Sequence, residues 1–238
     1  MIQVKPLYTG KAKSVYACED PDELKVVFRN DMTAFNGVKH DQFLDKGRLN
    51  ASASEFFMKM LEDQGIKTHF IRMTGSDTMI VKCLTMIPLE VIVRNIAAGS
   101  MTKKYPVSEG TVLERPVVSF DYKDDERGDP MINDDIILVL HILNEDELCR
   151  IKKMAILIND VLSKFFDSCG IRLVDFKLEF GKFKNEILLG DEISMDSMRL
   201  WDKKTGQSLD KDVYRFDKGD VISAYRTVLR RIIPDFKE

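Results

Sequence analysis

A chain of 238 residues is long enough for one large domain or two closely packed lobes, and 44% hydrophobic with 32% charged residues is an ordinary globular balance. Thirty-six basic residues (36) against 39 acidic ones leave a net charge of −3 with no concentrated patch, which excludes an electrostatic case for a nucleic-acid or acidic-membrane partner. No window holds the roughly 18 uninterrupted apolar residues of a membrane span, and Met1 to Lys5 lack the apolar core of a signal peptide, so the expected location is cytoplasmic.

Up to Val91 the chain reads mainly as strands. Leu7-Tyr8, Ser14 to Cys18, Leu24 to Arg29, His69 to Met73 and Met79 to Leu84 are short β-branched or aromatic runs separated by Gly, Pro, Asp and Asn. One helix interrupts them, since Ala53, Phe56, Phe57, Met60 and Leu61 recur at helical spacing before Gly65. Cys83 to Val91, broken by Pro88, reads as a hinge. Asn144 and Glu147 form a capping box ahead of Leu148, Ile151, Ala155, Ile158, Leu162, Phe165 and Cys169, with Gly170 as the stop. Val174, Phe176, Leu178 and Phe180 then alternate with Asp175, Lys177 and Glu179, and Glu186 to Ile193 returns after a turn. A last helix, Val221 to Ile233, ends at Pro234. Segregated strands and helices around one hinge predict an α+β, two-lobed molecule, divided as 1–85 and 86–238.

The four cysteines (Cys18, Cys83, Cys149, Cys169) show no CxxC spacing and read as buried reduced thiols. His40, His69 and His141 are too scattered for a zinc site and read as surface or structural side chains.

Five segments bear on chemistry. Tyr8 to Tyr16 places Lys11 and Lys13 around Gly10, two apart on extended chain, where both side chains reach one polyanion and the glycine lets main-chain N–H groups approach it. The segment is neither a Walker loop nor GxGxxG, and spacing alone leaves a solvated basic hairpin tip equally open. Lys82, inside the apolar run Met79 to Leu84, is either a second phosphate contact beside a hinge that offers main-chain groups to a nucleobase, or a lysine snorkelling from a sheet edge. Asp175, Lys177 and Glu179 share one strand face. Regular pleating would bury Asp191 on the returning strand unless Gly190 forms a bulge, so Glu179 and Asp191 are candidates to hold Mg²⁺. Arg94, within Glu90 to Asn95, suits a phosphate or carboxylate, with an internal ion pair to Glu90 as the alternative. The acidic loop Asp124 to Asp135 fits no EF-hand register.

Together these segments resemble the phosphoribosylaminoimidazole-succinocarboxamide synthetase (SAICAR synthetase) family almost end to end. The resemblance rests on Tyr8 to Tyr16 (YTGKAKSVY), Glu90 to Asn95 with Ala97-Ala98-Gly99-Ser100, Asp129-Pro130-Met131, Leu173 to Gly181 (LVDFKLEFG) and Leu189 to Asp202 (LGDEISMDSMRLWD). It implies ATP and Mg²⁺ as cofactors and carboxyaminoimidazole ribonucleotide (CAIR) and L-aspartate as substrates. The products would be SAICAR, ADP and phosphate, from a homo-oligomer, a dimer. The N-terminal lobe would be similar to those of kinases and ATP-grasp enzymes. By the same resemblance Gly10, Lys11, Ala12, Lys13, Val15, Lys82, Met86, Glu179 and Asp191 surround ATP and metal. Glu90, Arg94, Ser100, Asp129, Asp175, Lys177, Arg199 and Arg215 hold the ribonucleotide, and Lys82, Asp175 and Lys177 are the catalytic set. Many family members carry Asp-x-x-Ser-Ala-x-Asp after the strand that ends here at Arg29. This chain reads Asp31-Met32-Thr33-Ala34-Phe35-Asn36, so no metal role is assigned to Asn36.

Activating a carboxylate as an acyl phosphate for attack by an amine demands positioning and charge neutralisation and no protein nucleophile, consistent with the lack of a Ser–His or Cys–His pair. A kinase-like phosphotransferase should carry HRD and DFG motifs, which are absent from the sequence; a non-enzymatic nucleotide-binding module would bind ATP without turnover.

Overall fold

The computed structural model describes residues 5–34 and 37–236; Asn36 therefore lies outside the described residues. Strands β1 (Tyr8–Thr9), β2 (Lys13–Ala17) and β3 (Glu23–Phe28) run antiparallel and are followed by a separate hairpin, β4 (Asp31–Ala34) and β5 (Lys39–Gln42). After helix α1 (Lys46–Asp63), strands β6 (Phe70–Met73) and β7 (Thr78–Lys82) complete a five-stranded sheet in the order β1-β2-β3-β7-β6. Val26, Phe28, Met79 and Val81 are buried on it, with the Leu49, Phe57 and Leu61 side of α1 in the same core. The hairpin β4–β5 was not legible because its strands are rich in polar groups such as Asp31, Thr33, His40 and Asp41. Helix α1 starts earlier than its apolar periodicity indicates, because its first residues are buried through polarity and close packing. A Cβ on Gly47 would come 2.7 Å from the Phe28 carbonyl oxygen, and the buried Lys46 ammonium meets Asp196 at 2.6 Å.

The expected hinge is instead continuous strand, β8 (Thr85–Ile96). Glu90 pairs with Glu179 and Met86 with Gly181, so Ile87, Pro88 and Leu89 together oppose Phe180. Pro88, which has no N–H to give a ladder, falls inside that bulge, and its carbonyl accepts the Lys123 N–H at 3.1 Å. Helix α2 (Ser100–Lys104), β9 (Val112–Tyr122), β10 (Met131–Ile132) and α3 (Asp134–Val139) lead to the long α4 (Glu145–Ser168). Its capping box forms as expected, with Asn144 Oδ1 accepting from Glu147 N at 2.9 Å and Glu147 Oε2 from Asn144 N at 3.1 Å.

The chain then runs through β11 (Ile171–Phe183), β12 (Glu186–Gly190), β13 (Met198–Asp202), α5 (Asp212–Arg215) and α6 (Val221–Ile232). The second sheet is ordered β10-β9-β8-β11-β12, with β13 alongside the first half of β11. One face buries Leu89, Val91, Val93, Phe120, Phe176, Leu178 and Phe180 in the core that also takes Ile151, Ile158 and Leu162 of α4. Val174, expected on that face, falls where the register shifts between Leu173 and Asp175 and packs instead with Ile96, Ala98 and Trp201. Phe56 and Phe57 of α1 stack on Phe165 and Phe166 of α4 with ring centroids 5.4 and 5.2 Å apart, so one core joins the two sheets.

Among the described residues no helix is long and apolar enough to cross a membrane. The four cysteines are free, but only half-buried at Cys18, Cys83 and Cys169. Cys149 is exposed, because it lies next to the core-facing Leu148 on α4 but off its buried stripe.

Candidate active site

Strand register builds the site. Directly opposed residues of antiparallel strands share a face. Asp175 stands opposite Arg94 of β8 and Arg199 of β13, and Glu179 opposite Glu90, which is itself opposite Asp121 of β9. The polar face of the second sheet thereby gathers charge from four strands separated by tens of residues.

At one end of this face the N-terminal hairpin arrives. Gly10 N–H donates to the Lys13 carbonyl at 2.9 Å and the Ala12 carbonyl accepts from Arg29 N at 2.8 Å, a tight turn that leaves Lys11 exposed and aims Lys13 inward. The Lys13 ammonium meets the carboxylates of both Asp191 and Glu192. Burial alone would lower its pKa, but these two carboxylates raise it above the ordinary lysine range. Val15 is half-buried in β2, opposite Val26. Lys82 is not a loose edge lysine, since its ammonium donates to the Thr68 carbonyl at 3.0 Å. Met86 is exposed on β8 and lies over glycines: a Cβ on Gly190 would be 3.4 Å from its Sδ, and one on Gly181 3.1 Å.

Asp191 reaches the site by a route different from the expected bulge. Gly190 stays in register with Glu179, and Asp191 itself leaves the strand with φ of 56°, turning its carboxylate toward Lys13. Glu179, 5% exposed, accepts from Lys123 at 2.7 Å and Lys177 at 3.0 Å, while Lys177 also holds Glu90 at 2.7 Å. Burial and then the Asp191 charge push the Glu179 pKa up. Asp191 is also buried, but Lys13 and Lys177 hold its carboxyl well below the usual range. Burial would lower Lys177, and Glu179, Glu90 and Asp191 raise it well above normal. Two neighbouring buried carboxylates, Glu179 held by Lys123 and Lys177 and Asp191 held by Lys13, are a donor set that fits Mg²⁺, which takes one or two carboxylates and fills its remaining positions with water and phosphate oxygens. Among the described residues no cluster of three or more His, Cys, Asp or Glu forms a self-sufficient metal cage.

At the other end Arg94 pairs with Asp175 at 2.9 Å and donates to Ser100 Oγ at 3.0 Å; the expected alternative, a pair with Glu90, does not form. Arg199 holds the same Asp175 at 2.9 Å and Asp212 at 2.8 Å, and Arg215 holds Asp212 at 2.5 Å. Burial raises the Asp175 pKa despite both arginines, and burial of Asp212 is outweighed by Arg199 and Arg215, which lower it. Beside Arg94 and Ser100 opens a cavity of about 240 Å³, bounded also by Lys104, Tyr105, Ser119 and Asp121. Asp129 closes the acidic loop, its Oδ1 accepting from Asp124 N at 2.9 Å, and its charge is felt at Asp121 on the cavity wall.

Four residues of this arrangement had escaped the sequence reading. Glu192 is adjacent to Asp191, and only the folded loop shows both on one lysine. Lys123 and Asp212 carry no motif. His69, expected to be structural, is buried with Nε2 lacking a hydrogen-bond partner among the described residues. Burial and the neighbouring Lys13 push its pKa down to about 4.

The sequence matches the SAICAR synthetase family over residues 6–232. The phosphoribosylaminoimidazole-succinocarboxamide synthase of Methanosarcina acetivorans is 56% identical over 98% of this chain and 98% of its own. Among solved structures, the phosphoribosylaminoimidazole-succinocarboxamide synthase of Ehrlichia chaffeensis superposes with a TM-score of 0.94 at 44% identity, covering 97% of this chain and 100% of that one. A SAICAR synthetase in complex with ADP gives 0.93 at 50% identity, covering 96% and 99%. The chain belongs to the SAICAR synthetase family, the ATP-dependent ligases of purine biosynthesis.

Proposed function

We propose that this chain joins CAIR to L-aspartate with the two ends of one charged sheet face as its working parts. Lys13 and Lys82, with Gly10, Lys11, Ala12 and Val15 around the turn and Met86 under the base, take ATP; the ADP bound by the 50%-identical relative supports nucleotide use. Glu179 and Asp191 hold Mg²⁺, which when bound supplies positive charge to the phosphates. Arg94, Ser100, Arg199 and Arg215 take the ribonucleotide, with Asp129 at the rim. Asp175 orients both Arg94 and Arg199, which it touches at 2.9 Å.

In this reading Lys177 sits where the two ends meet, and its ammonium neutralises the CAIR carboxylate as an oxygen attacks the γ-phosphorus and ADP leaves. The aspartate amine then attacks the acyl carbon, phosphate departs, and a proton is lost from the nitrogen. The protein's part is alignment and charge neutralisation. The observation that carries the reading is the meeting of Lys13 with Asp191 and Glu192, which joins the basic turn to the acidic hairpin. Division at residues 85 and 86, the cytoplasm and a homo-dimer belong to the same proposal; exposed Ile136, Val139 and Leu140 offer apolar area to a second copy.

The test is direct. Purified protein mixed with ATP, Mg²⁺, aspartate and CAIR should yield the succinocarboxamide by mass, with ADP release dependent on aspartate. ADP release that ignores aspartate and follows a hydroxyl acceptor would overturn it in favour of a phosphotransferase.

A further inference from the structure

Lys13, Lys123, Lys177, Arg94, Arg199 and Arg215 each meet a carboxylate of the site. Lys211 differs from them. It is half-buried, yet among the described residues no carboxylate oxygen lies within ion-pair distance of its ammonium. It sits at the start of α5, one residue before Asp212, which holds Arg199 and Arg215. Its main-chain N–H reaches the Met195 carbonyl at 3.4 Å, tying α5 to the loop that begins with Asp191 and Glu192. Burial lowers its pKa; Asp196, Lys46, Arg215 and Glu192 are the charges that face it. Of these, Glu192 belongs to the Lys13 end of the site and Arg215 to the Arg199 end, so the ammonium is within electrostatic reach of both. Asp196 is already matched, by Lys46 at 2.6 Å and by the Tyr225 hydroxyl at 2.5 Å.

The ligase reaction brings a third anionic reactant to this middle ground. L-aspartate carries two carboxylates, and its amine must reach a carbon lying between triphosphate and ribonucleotide. Lys13, Arg94, Arg199, Arg215 and Lys177 are taken in the ligase reading by the nucleotide and the ribonucleotide, and each also holds a protein carboxylate. A half-buried ammonium with Asp196 and Glu192 only at longer range, and no carboxylate in ion-pair contact among the described residues, is the reverse case: its desolvation is only partly offset until a carboxylate arrives. We propose that Lys211 binds a carboxylate of the amino-acid substrate, an inference that rests on the ligase reading above.

Lys211→Met keeps the length of the side chain and removes the charge. The expected result is a rise of about 10- to 100-fold in KM for aspartate, the scale of one charge-assisted hydrogen bond, with KM for ATP and CAIR changed by less than about threefold. Succinate, a dicarboxylate without the amine, should compete with aspartate in the wild type and lose affinity by a similar factor in the variant, and Lys211→Arg should recover part of the loss. Equal shifts in all three KM values, or a loss confined to kcat and thermal stability, would mean that Lys211 only supports Asp196 and would overturn the proposal. An unchanged KM for aspartate overturns it too while leaving the ligase reading intact. Absence of turnover in the wild type would remove both.

Discussion

Replacing Gly99 by alanine tests the arginine end of the site through a single methyl group. Gly99 precedes α2 with φ 60° and ψ −125°, a region essentially closed to residues with a side chain. A Cβ built there lies 2.5 Å from Arg199 Nη2 and 2.8 Å from its Cζ. The guanidinium has little freedom to withdraw, because Nη1 donates to both Asp175 oxygens at 3.1 and 2.9 Å and Nε to Asp212 at 2.8 Å. Backbone strain of about 1–3 kcal/mol adds to the loss of at least one charge-assisted bond of about 1.5–3 kcal/mol, so a destabilisation of roughly 2.5–6 kcal/mol is expected. Urea unfolding should show a lower midpoint at unchanged slope, and on the proposed role of Arg199 in taking the ribonucleotide KM for CAIR should rise. In an Arg199→Ala background the same Gly99→Ala change meets no guanidinium and should cost only the strain, leaving a coupling of about 1.5–3 kcal/mol between the two positions. Additive effects in that cycle, or a Gly99→Ala protein within about 0.5 kcal/mol of wild type, would refute a locked guanidinium at this position.

Lys82→Ala, Glu179→Gln and Asp191→Asn should each slow the chemical step by about 3 kcal/mol or more, the scale of a lost preorganised charge contact; single-turnover rates of folded protein within about threefold of wild type for all three would remove the phosphate assignment. Lys46→Met should destabilise by about 3–5 kcal/mol, since it strands the buried Asp196 carboxylate that now has the ammonium at 2.6 Å; chemical denaturation measures it. Asp210, fully buried, has its pKa pushed up to about 7 by burial and by the neighbouring Asp212 charge. The unfolded chain releases that proton near pH 4, so between about pH 4 and 7 the folded state binds more protons and stability falls as pH rises. Asp210→Asn should flatten that part of the stability–pH curve, whereas an unchanged slope across pH 4–7 would mean that Asp210 is ionised throughout.

Periodicity revealed the elements whose burial follows it. Helix α4 and strand β11 bury residues in steps that hydropathy records, and the α4 capping box is local chemistry written in Asn144 and Glu147. Strand β8 was misread because Pro88 is a strong breaker in sequence, while a bulge opposite Phe180 removes the need for its N–H. The start of α1 was missed because Lys46 is buried through polar partners, the Asp31 carbonyl and the Asp196 carboxylate, which no hydropathy pattern shows. In the site, the alternation of Asp175, Lys177 and Glu179 was visible within one strand. Which opposite charge each would meet was not, because that depends on register: Arg94 faces Asp175 and Glu90 faces Glu179 only once β8 is paired with β11. Asp191 shows the same limit in the backbone, since a left-handed turn at an aspartate leaves no mark in the sequence.

The charges of the cleft are interlocked, and that has a consequence for binding. Lys13 rests on Asp191 and Glu192, Lys123 and Lys177 on Glu90 and Glu179, and Arg94, Arg199 and Arg215 on Asp175 and Asp212, so six cations face six carboxylates before any ligand arrives. A triphosphate taking Lys13 leaves Asp191 and Glu192 without their cation. Two uncompensated buried carboxylates are costly, and Asp191 sits beside the already strained charge of Glu179. Asp191 and Glu192 would be satisfied by a divalent cation arriving with the nucleotide as Lys13 turned to the phosphates. Nucleotide and metal are therefore expected to enter as a unit, because either one alone leaves half of an existing ion pair stranded in a buried site.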